Sequence, residues 1–321
     1  MKRLFRKKPL ARDWFGIDVF QVGPRFLRDS GLLYLLDEVG STSEFLRGRG
    51  EAARGRICQW DGWGWKAQQP TLLNPVTDPS PGTVVVACRQ SAGKGRQGRV
   101  WVDCGGLHLS VVVPPHRASF ANGFSVWLGL LSVLVLREDF LVDARLKWPN
   151  DIIVSGRKLG GILLENTRSG PDKMVVAGLG INLGTSLNGF PSHLHRKATS
   201  TLIETDRLLR PGEVGGRIIS RVENELDSFQ ESGWSAFRPA LSYLDCLLGQ
   251  QIHLVSGGRD YLGRAAGIDD HGALLLEDSR GKTTAFSAGD VHLEAVFENI
   301  GDAHGGKVPQ EDRKSDEIPD N

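Results

Sequence analysis

The sequence predicts an α/β (α+β) domain followed by a small β-barrel. Three observations carry this expectation. Apolar runs of strand length alternate with longer helical patterns up to Leu244. Glycine-rich segments follow or interrupt several of the strands. After Leu248 the texture changes to short alternating strands divided by tight turns, a density that suits a barrel.

Taken in order, ordered structure is expected to begin near Leu32, where 32–36 reads as a buried strand. Ser41 and Glu44 fit the capping box that opens a helix. Over 51–81 the pattern dissolves. Trp60, Trp63 and Trp65 stand among glycines and several prolines follow, so the stretch reads as an insertion, either a surface excursion or a lid. Residues 83–87 and 107–113 read as strands, and 120–140 is apolar on most faces, as a core helix would be. Residues 151–154 and 159–165 flank Ser155-Gly156-Arg157 as a β-hairpin, and 174–183 is a further strand. Helical patterns follow at 213–229 and 234–244. In the last region the strand candidates are 253–255, 261–264, 273–277 and 283–286. The expected divisions are a loose basic arm at 1–30, one large domain over 31–245 with the Trp-rich insertion at 51–81, a small barrel over 246–297 and a disordered tail over 298–321.

Bulk composition narrows the function classes. The chain has 321 residues, 40% hydrophobic and 24% charged, with a formal net charge of +1. No whole-chain charge imbalance calls for nucleic acid or an anionic membrane, so any electrostatic specialisation is local. Cys58, Cys88, Cys104 and Cys246 are widely spaced with no CxxC pair, which favours free thiols in a reducing cytoplasm over a disulfide framework or a zinc site. Lys2, Arg3, Arg6, Lys7, Lys8 and Arg12 crowd the start, but no apolar segment follows to complete a signal peptide. The most apolar stretch, 126–136, is too short to span a bilayer. A cytoplasmic protein with no membrane partner is the expectation.

Three segments carry chemistry. Gly93-Lys94-Gly95-Arg96-Gln97-Gly98-Arg99 follows a strand and matches GxGxxG, yet it runs into extended sequence rather than a helix, so a dinucleotide fingerprint does not fit. Glycines that let the backbone fold over a ligand, interleaved with cations, suit phosphate oxygens; the bland alternative is a flexible basic hairpin. Lys147-Trp148-Pro149-Asn150-Asp151 leads into the hairpin that carries Lys158-Leu159-Gly160-Gly161. Two lysines delivered by one hairpin favour an anion site, although Asn150 and Asp151 alone could be turn residues. Gly178-Leu179-Gly180-Ile181-Asn182 interrupts a strand with glycines, which marks either a bulge or a close approach by ligand or backbone.

Together these segments resemble the biotin–protein ligase family, monofunctional type. Ser91 to Trp101 is similar to its glycine-arginine loop, and the lysine-tryptophan-proline-asparagine-aspartate motif is complete from Lys147 to Asp151. Lys158 to Glu165 and Gly178 to Asn182 match the next two motifs in order. The resemblance covers about 32–296 apart from the insertion, and it implies a class II aminoacyl-tRNA-synthetase-like catalytic domain with a mixed sheet and flanking helices, followed by an SH3-like C-terminal domain. It also implies two steps: biotin and ATP with Mg²⁺ give biotinyl-5'-AMP, and biotin then passes to a lysine of a biotin carboxyl carrier protein. The resemblance further implies neither a prosthetic group nor a fixed metal site on the protein.

Carried over residue by residue, Ser41, Thr42 and Ser43 hold the biotin ureido ring, with Ser43 standing where asparagine is usual. Gln90, Gly93, Lys94, Gly95 and Arg96 line biotin and the adenylate phosphate, with Lys94 in place of the usual arginine. Lys158 meets the biotin carboxylate, and Lys147 meets the reacting phosphate and acyl oxygen. Asn150 and Asp151 organise the nucleotide and the incoming lysine. Arg99, Trp101 and Asn182 fall on the adenylate side, and Gly161, Gly178 and Gly180 allow close backbone approach. About thirty residues ahead of the catalytic domain leave no room for a winged helix-turn-helix, so a ligase that does not bind nucleic acid is expected. A homodimer is compatible with the sequence. A lipoate–protein ligase of the same fold, and a catalytically degenerate biotin-binding regulator, are the alternatives.

Overall fold

The computed structural model describes residues 14–23, 32–113, 121–166 and 174–293. The expectations for 1–13, 24–31 and 298–321 lie outside the described residues. Strand β1 (Leu32–Val39) runs into helix α1 (Thr42–Leu46) through Gly40 and Ser41. Strands β2 (Ala53–Trp60), β3 (Trp65–Ala67) and β4 (Thr71–Leu73) follow, then β5 (Val84–Gln90) and β6 (Gly106–Val113). Helix α2 (Ala121–Glu138) precedes β7 (Arg145–Lys147), β8 (Asp151–Val154), β9 (Arg157–Asn166) and β10 (Val175–Asn182). Helices α3 (Thr201–Thr205), α4 (Pro211–Ser232) and α5 (Arg238–Leu244) close this part. Strands β11 (Gln251–Ser256), β12 (Arg259–Ile268), β13 (Leu274–Glu277), β14 (Thr283–Phe286) and β15 (Asp290–Leu293) form a second, antiparallel sheet in the order β14-β13-β12-β11-β15.

The large sheet is mixed. Its order is β3-β2-β1-β5-β6-β10-β9-β8-β7, with β4 beside β2, and β1 and β5 are parallel while the other pairs are antiparallel. Both faces are covered, which is why several strands read as continuous apolar runs. Leu33, Leu35, Val84 and Val86 turn toward the helices α2 and α4, whereas Leu36, Val85 and Ala87 pack under α1 with Phe45 and Leu46. Trp127 of α2 stacks on Phe229 of α4 at a centroid distance of 4.6 Å, and Phe237 meets it edge-on. Among the described residues no helix is long and apolar enough to cross a membrane.

Two parts of the sequence reading are corrected. The arm expected over 1–30 is not loose over 14–23, where Phe15 and Phe20 are 2% exposed and belong to the main core. Helix α4 clears a path for this segment: a Cβ at Gly212 would lie 2.5 Å from the Phe15 carbonyl, and one at Gly216 would lie 2.8 Å from the Gln21 nitrogen. The pattern that dissolves over 51–81 in the sequence is strand in the structure, since β2, β3 and β4 extend the sheet beyond β1. Trp65 packs against Phe20 and donates its indole N–H to the Phe20 carbonyl at 3.0 Å.

The register also argues against a lid. Gln59 lies opposite Leu32, and β1 must run its eight residues, roughly 25 Å, before the chain reaches Ser41. The hairpin tip with Trp63, which is 92% exposed, therefore stands at the far end of the sheet. Ser41 does precede α1, but its side chain makes no capping hydrogen bond.

Where α5 gives way to the second sheet, Asp245 is 6% exposed and one carboxylate oxygen has no partner among the described residues. The other accepts the Leu247 N–H. Burial raises this carboxyl to about 6, against a weaker opposing pull from that hydrogen bond. A raised carboxyl means that the folded chain holds the proton more tightly than the unfolded one, so stability falls as pH rises from about 4 to 6. The cost at neutral pH is about 3 kcal/mol, reckoned from the ordinary carboxylate value. Asp245→Asn is expected to raise the Tm by several degrees at pH 8 and by nothing at pH 4, read by thermal melts at both values.

Candidate active site

The site lies where β1, α1, β5 and β10 meet the hairpin of β8 and β9 and the edge of the second sheet. It is a cavity of about 290 Å³. On one side its chemistry is neutral. Gln90 Oε1 accepts both the Thr42 backbone N–H at 2.8 Å and the Thr42 hydroxyl at 3.1 Å. With that hydrogen committed, Thr42 Oγ1 accepts from Ser110 at 2.8 Å, and Ser110 in turn accepts from Ser43 at 3.0 Å. Every hydroxyl hydrogen in the relay points inward, so Ser43 presents only lone pairs beyond it. The sequence reading missed Ser110. Its signal was available: a hydroxyl at the centre of an apolar strand, 0% exposed, needs a partner.

The glycines of β10 follow from this packing. A Cβ at Gly178 would lie 2.7 Å from Ser43 Oγ, and one at Gly180 would lie 2.8 Å from the Trp101 ring. The β10–β6 register is unbroken, so close approach rather than a bulge explains them.

On the other side the chemistry is cationic. The segment after β5 is a hairpin, with Lys94 bridged to Val100 and the Gly95 N–H donated to the Arg99 carbonyl at 2.7 Å. Its tip, Arg96 to Gly98, needs left-handed backbone at Gln97 (φ 55°) and Gly98 (φ 73°). Arg96 Nη1 donates to Asn150 Oδ1 and to the Gly289 carbonyl, each at 3.3 Å. Arg99 pairs with Asp290 at 2.5 Å. Lys94 reaches Glu44 at 3.0 Å. Burial alone would raise the Glu44 carboxyl, but Lys94 and Arg47 beside it hold it below the ordinary range.

The β8–β9 hairpin sets Lys158 Nζ 2.5 Å from Asp151 Oδ1 and 6.0 Å from the Trp101 ring centroid. Asn150 is fixed by its side-chain donation to the Ile162 carbonyl at 2.7 Å. Trp148, 1% exposed, donates its indole N–H to the Gly272 carbonyl at 2.9 Å, which ties the motif to the second sheet. Lys147 and Asp151 are partners in the β7–β8 ladder, and both line the cavity.

The sequence-predicted site residues all line this cavity except Gly93 and Asn182. Gly93 is a packing position, since a Cβ there would lie 2.7 Å from the Trp101 carbonyl. Asn182 donates its amide to the Thr199 carbonyl at 3.0 Å, behind the site. The reading also missed Gly289, Asp290, Val291 and His292, through which the second sheet forms part of the wall. Strand β15 lies beyond the last strand candidate in the sequence.

Known proteins with this arrangement are recognisable. Residues 66–182 match the Biotin/lipoate A/B protein ligase family, and residues 247–293 match the Biotin protein ligase C terminal domain. The bifunctional ligase/repressor BirA of Salmonella typhimurium is 31% identical over 229 residues, covering 70% of this chain and 71% of that protein. The biotin–[acetyl-CoA-carboxylase] ligase of Paracoccus denitrificans is 33% identical over 207 residues, 62% of this chain and 85% of that protein. Among solved structures, the biotin protein ligase from Aquifex aeolicus in complex with biotin and ATP superposes with a TM-score of 0.66 at 26% identity, covering 82% of this chain and 98% of that one.

Proposed function

Because the chain belongs to the biotin–protein ligase family, we propose that this cavity holds biotin and ATP together and passes the activated biotin to a carrier lysine. The activity is ATP-dependent biotin–protein ligation through biotinyl-5'-AMP. The observation that carries the site assignment is the pairing, in one cavity, of a neutral wall that ends in a lone-pair acceptor with a cationic wall. Biotin has the same polarity, with ureido N–H donors at one end and a carboxylate at the other. Ser43 accepts a ureido N–H, and Lys158, Lys147 and Arg96 face the carboxylate and the phosphate.

In the first step a biotin carboxylate oxygen attacks the α-phosphorus of Mg²⁺-bound ATP, and the bond to the bridging oxygen of pyrophosphate breaks. Lys158, held by Asp151, and Arg96, held by Asn150 and the Gly289 carbonyl, join Lys147 in offsetting the charge that gathers there. In the second step the carrier amine attacks the acyl carbon, oriented by Asp151, and AMP leaves with the phosphate oxygen. The closed loop keeps water from the mixed anhydride. We assign the carrier as the biotin carboxyl carrier protein of a carboxylase, since the name of the Paracoccus relative gives acetyl-CoA carboxylase as its target, and the compartment as the cytoplasm, whose reducing conditions suit the free cysteines.

Intact mass of a carrier domain after incubation with the protein, biotin, ATP and Mg²⁺ tests this. One biotin-sized gain, absent with lipoate or without ATP, is the expected result, and no gain would sink it. Gly178→Ala should push Ser43 off Ser110 and raise the KM for biotin about tenfold, the size of one buried hydrogen bond, with little change in KM for ATP. Steady-state kinetics in both substrates would show the split.

A further inference from the structure

Beside the cavity, and among the described residues, two buried polar atoms lack partners: Trp101 Nε1 and His108 Nδ1. His108 lies on β6 two residues from Ser110 and is 2% exposed. Its other nitrogen, Nε2, lies 2.9 Å from Asp103 Oδ1. Asp103 also accepts the Gly105 N–H at 3.0 Å and the Gln90 N–H at 2.8 Å. One carboxylate thus joins the last residue of β5, from which the basic loop departs, to the strand that follows the loop.

A carboxylate only accepts, so His108 Nε2 carries the hydrogen, and in the tautomer with its one hydrogen there Nδ1 is an acceptor. Burial pushes the Asp103 carboxyl up, but His108 and the two backbone N–H groups hold it below the ordinary range, so it stays charged. The indole Nε1–H of Trp101 can only donate. The register places His108 opposite Gly180, and the Trp101 six-membered ring lies over Gly180, 2.8 Å from where a Cβ would be. Opposed residues of an antiparallel pair share a face, with Cβ atoms about 5 Å apart. The unmatched donor and the unmatched acceptor therefore occupy neighbouring positions on one side of the sheet.

We propose that Asp103 and His108 form a positioning pair that receives the Trp101 indole N–H once biotinyl-adenylate fills the cavity beneath the basic loop. Asp103 sets the tautomer, His108 supplies the acceptor, and Trp101 carries the end of the loop onto the sheet. The inference rests on assigning this loop to biotin and adenylate.

The full-length protein, labelled at its indole nitrogens, tests it by NMR before and after biotin and Mg²⁺-ATP are added, with Trp101→Phe assigning the resonance. In the wild type the Trp101 N–H should move downfield and exchange more slowly with water once adenylate has formed. His108→Phe should abolish that change and release adenylate about tenfold faster, as for one lost buried hydrogen bond. His108→Gln, whose amide has a donor and an acceptor as neutral imidazole does, should restore both. A resonance that moves equally in wild type and folded His108→Phe, or unchanged adenylate retention, would overturn the proposal. Should His108→Phe not fold, Asp103→Asn carries the same test, because it still accepts from Gln90 but no longer holds the tautomer; unchanged release there also overturns it. A wild-type chain that makes no adenylate would overturn the ligase assignment itself, whereas normal adenylate with unaltered variants overturns only this pair.

Discussion

Lys158→Ala will slow biotinyl-adenylate formation about 10²–10³-fold, the usual effect of deleting one preorganised charge aimed at a reacting centre. The geometry makes the loss specific. Lys158 Nζ is held at 2.5 Å by Asp151, so its direction is set before any substrate arrives. A lysine ammonium has three donors, so pairing with Asp151 leaves capacity for the biotin carboxylate and an α-phosphate oxygen. Removing it loses that charge and leaves Asp151 facing the incoming anions with nothing between, which adds repulsion to the lost attraction. Lys158→Arg should rescue poorly, because a planar fork seated on Asp151 cannot offer the same compact charge. Pyrophosphate release in the absence of carrier measures the step. A variant that activates biotin at the wild-type rate, with the fold intact by melting, would remove Lys158 from the chemistry.

Much of this site was legible because its chemistry sits in contiguous motifs. Lys147, Asn150, Asp151 and Lys158 are within twelve residues on β7, β8, β9 and the turn between β7 and β8, so reading the hairpin already brought them together. The basic loop declared itself by interleaving cations and glycines. What stayed hidden depends on contacts between distant segments. Ser110 looks like one hydroxyl in an apolar strand until Thr42 and Ser43 are laid over it. The packing of Phe15 and Phe20 was foreshadowed only by Gly212 and Gly216 inside a helix, a costly placement that makes sense once a backbone must pass close by. The 51–81 region misled because three-residue strands such as β3 and β4 carry almost no periodicity. The contribution of Gly289 to His292 could not be read locally at all, since it depends on how the second sheet meets the first.

Arg96→Gly will leave adenylate formation measurable but let biotinyl-adenylate leave the site before transfer. Arg96 is the residue of the basic loop tied across the cavity in two directions, to Asn150 of the catalytic hairpin and to the Gly289 carbonyl of the second sheet. Those two bonds, with the Arg99–Asp290 pair, hold the loop against both walls. Glycine removes both Arg96 bonds, removes a charge facing the phosphate, and loosens a tip that already has left-handed backbone at Gln97 and Gly98. Each hydrogen bond from a charged group is worth about 1.5–3 kcal/mol, so the two together correspond to a release rate higher by about 10²-fold or more. The escaping mixed anhydride acylates any amine it meets. Bystander lysines on an added protein without a carrier domain should therefore gain biotin in proportion to time, while the wild type labels only the carrier. Arg96→Lys separates charge from reach: it restores attraction for the phosphate but cannot span from Asn150 to Gly289, so it should leak at an intermediate rate. Equal bystander labelling by wild type and Arg96→Gly would show that the loop does not retain the intermediate.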